Sequence, residues 1–97
     1  MSKKRPLPEN APRELPIDGV LDLHTFLPRD VKELVNTYLD ECRARGILRV
    51  RIIHGKGIGT LREQVHKILS KRQDVVRFRL DSETGSSWGA TLVDLAP

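Results

Sequence analysis

Asp22, His24 and His54 are the side chains in this sequence best suited to moving protons at a phosphate. Two imidazoles and one carboxylate can share the work on a phosphodiester, with one base, one acid and an Asp that orients an imidazole. The same three groups could instead hold a divalent metal ion. Next to them runs His54-Gly55-Lys56-Gly57-Ile58-Gly59. Gly55, Gly57 and Gly59, at alternate positions, let the backbone come close to a ligand, and the helix expected next offers free N–H groups and a positive dipole end. Lys56 adds a full charge, so the turn suits a phosphate. It has neither the Gly-Lys-Ser/Thr of a Walker A loop nor the Rossmann glycine spacing, so no nucleotide or other small-molecule cofactor is expected. Trp88 could stack on an unpaired base or simply anchor its loop. His66 is read as a surface helix residue, and Tyr38 and Phe78 as core.

These residues are positioned by a pattern of alternating strands and helices. A strand over Val20–His24 turns Leu21 and Leu23 one way and Asp22 and His24 the other, because strand side chains alternate. A helix over Pro28–Arg45 follows, with Val31, Leu34, Val35, Tyr38 and Cys42 on one stripe and Gly46 ending it. Leu48–Ile53 forms the second strand, with Val50 and Ile52 facing inward. Thr60 and Glu63 form a capping box for a second helix carrying Leu61, Val65, Ile68 and Leu69. Val75–Leu80 sets Val76, Phe78 and Leu80 against Arg77 and Arg79, and Ala90–Leu95 is the last strand after a Ser/Gly-rich loop.

The order β-α-β-α-β-β predicts right-handed parallel crossovers for the first two units and an antiparallel final pair. Strands covered on both faces would be apolar throughout, whereas these alternate. The expected fold is therefore an α/β two-layer sandwich, a four-stranded mixed sheet with both helices on one face. Its open face would carry Asp22 and His24 together with Arg49, Arg51, Arg77 and Arg79. Guanidinium forks match phosphate oxygens in pairs, which makes that face a platform for a nucleic-acid backbone. The plainer alternative is an ordinary solvated polar face.

Composition sets broader limits. The chain has 97 residues, room for one domain, and a net charge of +4. Residues 1–16 contain Pro6, Pro8, Pro12 and Pro16 among charges, too few apolar groups to offset chain entropy. They are expected to be a disordered basic arm, with the folded domain over 17–97. The single cysteine, Cys42, suggests a reducing compartment. Without an apolar run for a signal or a membrane span, a cytoplasmic protein with no membrane partner is expected.

Leu-Asp-Leu-His at 21–24, His-Gly-Lys-Gly at 54–57 and Gly-Ala-Thr-Leu-Val-Asp-Leu at 89–95 stand in an order and spacing that resemble the Smr (small MutS-related) domain family, in its free-standing bacterial form. The resemblance implies a fold similar to the C-terminal domain of translation initiation factor 3 and endonuclease activity on DNA or RNA. It implicates Asp22 and His24 in cleavage and carries the second motif to His54, Gly55, Lys56 and Gly57. Thr25 stands where the family usually has Gly, and Leu27 where a capping Thr usually precedes Pro. The expected function is a nucleic-acid-binding domain that nicks DNA or RNA, on a partner that could be branched or ribosome-associated. The motifs require no cofactor, although DNA nicking could use Mg²⁺ or Mn²⁺. The alternative, favoured by the β-branched Thr25, is a non-catalytic module binding DNA, RNA or a ribonucleoprotein through the same face.

Overall fold

A computed structural model describes residues 16–55, 59–81 and 89–97. Residues 1–15 of the arm expected over 1–16, together with Lys56, Gly57 and Trp88, lie outside the described residues. The elements are β1 (Val20–Asp22), α1 (Pro28–Ala44), β2 (Arg49–Ile53), α2 (Thr60–Ser70), β3 (Val75–Leu80) and β4 (Ala90–Leu95). They build the expected two-layer sandwich with a four-stranded mixed sheet.

The sheet order is β1-β2-β4-β3. β1 and β2 are parallel, and β4 lies antiparallel between β2 and β3. β3 therefore runs in the same direction as β2 without pairing with it. Leu21, Val50, Ile52, Val93 and Leu95 point into one core with Val31, Leu34, Val35, Tyr38 and Cys42 from α1 and Val65, Ile68 and Leu69 from α2. Leu39, also fully buried, widens the α1 stripe beyond the residues that periodicity singled out. The Tyr38 hydroxyl accepts the Gly19 N–H at 3.0 Å and donates to the Val20 carbonyl at 3.0 Å, tying the middle of α1 to the start of β1.

Five local expectations change, the smallest being that β2 starts at Arg49 rather than Leu48. β1 stops at Asp22 rather than His24, although Leu23 still donates its N–H to the Ile53 carbonyl at 2.8 Å. α1 stops at Ala44 with Arg45 as its C-cap, and Gly46 follows at φ 77°. The capping box at Thr60 does not form: Gly59, at φ 86°, is the N-cap, and its carbonyl accepts the Glu63 N–H at 2.9 Å. A left-handed backbone at that point suits glycine, so the helix begins one residue earlier in phase and Thr60 is already inside it. Finally, Val76 faces solvent. Val75 pairs with Leu95 but Arg77 pairs with Asp94, so Val76 is the extra residue of a β-bulge. The bulge shifts the alternation, and Val75 takes the inward place that strict alternation assigns to Val76.

Candidate active site and nucleic-acid interface

Asp22 and His24 meet as the alternation of β1 requires. Leu21 and Leu23 are buried on either side of Asp22, which leaves Asp22 and His24 on the open side. His24 Nδ1 lies 2.7 Å from Asp22 Oδ1, and the same oxygen accepts the His24 N–H at 3.0 Å. Partial burial pushes the Asp22 carboxyl up, but the backbone and side-chain hydrogen bonds from His24 outweigh it and hold the carboxyl below its ordinary value. An ionised carboxylate only accepts, so Nδ1 carries a proton, and in the neutral form of the ring Nε2 is the nitrogen with the free lone pair. With 69% of the His24 side chain exposed, that lone pair is open to solvent or substrate.

His54 goes elsewhere. The parallel register ends with Asp22 opposite Ile53, and one residue on, Leu23 and His54 are both buried. The alternation thus runs past the end of β2 and turns the His54 ring to the helix side. Nδ1 lies 3.1 Å from the Gly55 carbonyl and Nε2 lies 2.8 Å from Thr91 Oγ1. The structure therefore pairs Asp22 with His24 and places His54 in a separate cluster.

The third member of that cluster is His66, which is half-buried on α2 rather than a surface residue. Its Nε2 is 2.8 Å from the same Thr91 Oγ1, and its ring packs on Phe78 at a centroid distance of 4.9 Å. Donor and acceptor rules give this chain a direction. The Gly55 carbonyl can only accept, so His54 Nδ1 donates and the neutral ring's Nε2 accepts the Thr91 hydroxyl proton. That hydroxyl has no second proton, so His66 Nε2 donates to Thr91 Oγ1. Burial lowers the His54 pKa, with Arg62 adding to it against the Gly55 hydrogen bond. Burial also lowers that of His66, helped by His54 and Arg62. Both rings are therefore held neutral. The sequence signal for His66 was its place beside Val65 and Ile68 on the apolar side of α2, together with a Thr in the inward phase of β4.

His54, Gly55 and Gly59 also help line a cleft of about 240 Å³ closed by Phe26, Pro28 and Leu61. Among the described residues no group of three His, Cys, Asp or Glu side chains could hold one metal ion. No described helix is long and apolar enough to cross a membrane.

Arg49, Arg51, Arg77 and Arg79 do share the open sheet face, because β4 brings β2 and β3 into common register. Arg49 and Arg77 both pair with Asp94, and Arg51 and Arg79 both pair with Leu92. Asp94 accepts from Arg77 Nε at 2.8 Å and from Arg49 Nε at 3.0 Å, and these two bonds lower its pKa. Arg51 Nε donates to Asp81 at 2.9 Å. In each of these hydrogen bonds the contact runs through Nε. One carboxylate serving two guanidiniums leaves positive charge on the face, and Arg49 and Arg77 are 70% and 71% exposed.

Residues 21–96 match the sequence profile of the Smr domain. Endonuclease MutS2 of Pelotomaculum thermopropionicum is 39% identical over 80 residues, and that of Halothermothrix orenii is 34% identical over 79. These matches cover 82% and 81% of this chain but 10% of each relative, so the chain spans about a tenth of their length. In three dimensions the protein is similar to the Smr domain of Thermus thermophilus MutS2. The TM-score is 0.75 and the identity 32%, covering 82% of this chain and 100% of that one. It is also similar to YdaL, a stand-alone small MutS-related protein from Escherichia coli, at a TM-score of 0.75 and 25% identity, covering 81% and 65%. The profile match and both structural likenesses each cover most of the chain, and the chain belongs to the Smr domain family.

Proposed function

We propose that this Smr domain binds nucleic acid on the arginine-bearing sheet face and cleaves a phosphodiester with the Asp22–His24 pair. The observation that carries this reading is the 2.7 Å contact that fixes His24 with its proton on Nδ1 and its Nε2 exposed. Such a ring is poised to take a proton from a nucleophile, with Asp22 stabilising the imidazolium that results. The arginine face lies on the same side of the sheet and positions the backbone. That the similar MutS2 proteins carry the name endonuclease supports the assignment.

On RNA, His24 Nε2 takes the proton of a 2′-hydroxyl, whose oxygen attacks the adjacent phosphorus; the P–O5′ bond breaks, the departing 5′-oxygen takes a proton from water, and a cyclic phosphate end remains. DNA has no such group, and its cleavage requires an activated water. A Mg²⁺ or Mn²⁺ would be held by the Asp22 carboxylate together with water and phosphate oxygens, and would supply that water in activated form. Purified protein on labelled RNA and DNA, with and without EDTA, tests the proposal. EDTA-resistant cleavage is expected on RNA alone, and EDTA-resistant nicking of an all-DNA substrate would refute the mechanism.

One observation favours a second reading. With both His54 nitrogens engaged at Gly55 and Thr91, the Asp22–His24 pair lacks the second imidazole that a base-and-acid mechanism could use. Tight binding without scission of either polymer would make the protein a non-catalytic nucleic-acid-binding module.

A further inference from the structure

The helix layer carries a second basic surface. Between α1 and α2 lies a groove of about 360 Å³ lined by Lys32, Asn36, Gln64, Lys67, Lys71 and Arg72. Its polar floor is already committed. Gln64 donates to the Pro28 carbonyl at 2.9 Å and Asn36 to the Lys32 carbonyl at 3.1 Å. Arg72 bonds Asn36 Oδ1 at 2.9 Å, Asp40 at 2.8 Å and Asp74 at 2.6 Å, so its charge is neutralised where it sits. Lys32, Lys67 and Lys71 are different. All three are exposed, and none makes an ion pair among the described residues. A hydrogen-bonded floor thus lies under three ammonium groups around one groove, none of them paired with a carboxylate among the described residues.

We infer that this groove holds the phosphate backbone of a single nucleic-acid strand, a second contact separate from the sheet face. The inference rests on the proposed nucleic-acid function and extends it to the opposite side of the molecule. Lys67 in the last turn of α2 and Lys71, its C-cap, stand one turn apart, about 6 Å along the helix axis, and Lys32 lies across the groove on α1. Successive phosphates of an extended strand can meet such a row. A duplex is too wide to enter between helices packed at about 8–10 Å. A bilayer is a poor occupant, since the exposed large apolar residues among those described are Val20, Leu27 and Val76, none of them in the groove. The helices cover the core face of the sheet, so the groove opens away from Arg49 and Arg77. One segment on the sheet cannot also fill it, and the domain would grip two segments.

The test compares wild type with a Lys32→Gln/Lys67→Gln/Lys71→Gln triple variant and an Arg49→Gln/Arg77→Gln double variant. Binding of labelled oligo-dT and oligo-U is measured against salt concentration. Lysine ammonium groups contact phosphate rather than sugar, so the triple variant should lose about 2 from the slope of log K against log salt on both polymers, at about 0.7 per contact. In ¹⁵N spectra of the wild type, the Asn36, Lys67 and Lys71 amides should shift on adding either oligonucleotide. An unchanged slope in the triple variant, while the double variant flattens it, would make the groove ordinary solvated surface. A loss confined to one polymer would overturn the backbone contact. Loss in the triple variant alone would keep the groove and remove the sheet-face reading. A wild type that binds neither oligonucleotide would refute the proposed function and the groove with it.

Discussion

Two histidine sites sit at the same end of the sheet and have opposite characters. His24 is exposed, its partner Asp22 is two residues away, and one ring nitrogen is free. His54 is buried, its partners come from its own turn and from β4, and both nitrogens are engaged. The difference is one step of strand phase. A residue on the open side meets solvent and can exchange protons with a substrate, whereas its neighbour in the next phase is desolvated and must be satisfied internally. The exposed pair is suited to chemistry. The buried cluster joins the end of β2 to β4 and, through His66, to α2.

The largest expected effect lies at the exposed pair. Asp22→Asn and His24→Ala should each lower scission by roughly 10²–10⁴-fold, the usual contribution of general base catalysis, while melting temperature and oligonucleotide affinity stay near wild type. Cleavage rates, melting curves and binding isotherms on the same preparations check this. Scission at wild-type rates in both variants would erase the contrast between the two sites.

At the buried cluster the order of effects should reverse. Thr91→Val keeps the shape but removes the hydroxyl that joins the two rings, leaving His54 Nε2 without a donor. Stability should fall by about 1–3 kcal/mol, the cost of an unsatisfied buried polar group. For a domain of this size that is a drop in Tm of about 4–8 °C per kcal/mol. Calorimetry or a thermal melt reads it directly, and an unchanged Tm would show that the hydrogen-bonded chain contributes nothing to the fold.

Acidification gives the smallest of the three effects and discriminates the sites most sharply. The folded-state pKa values of His54 and His66 lie below the ordinary 6.5, so the unfolded chain binds more protons than the folded one as pH drops. Their contribution to stability is complete above about pH 6.5 and is lost as pH falls through the lowered values. Denaturant unfolding at a series of pH values should show this decline in wild type and in His24→Gln. His66→Gln should flatten it. If His24→Gln flattens the decline instead, the assignment of neutral rings to the buried cluster is wrong.

Much of this arrangement follows from local pattern. The alternation of Leu21, Asp22, Leu23 and His24 already places the acid and the imidazole together on one side. The same period puts Arg49, Arg51, Arg77 and Arg79 on the open face, and the apolar stripe of α1 marks the core. These are short-range consequences of backbone geometry, with period 2 in a strand and about 3.6 in a helix, and they survive any arrangement of the elements. For the same reason the three short motifs were enough to point to the Smr family.

Other features depend on which elements become neighbours. β4 slips between β2 and β3, and only that order brings Asp94 between Arg49 and Arg77. The same insertion delivers Thr91 to His54, while the docking of α2 brings His66 to the other side of the hydroxyl. Residues 37 and 25 positions apart in sequence thus share one oxygen. The bulge at Val76 likewise adjusts β3 to a partner strand that its own alternation does not specify. Periodicity decides which way a side chain points, because that is a property of its own backbone. Which side chain it meets there is decided by packing across the sheet and between the layers, and that belongs to the tertiary structure.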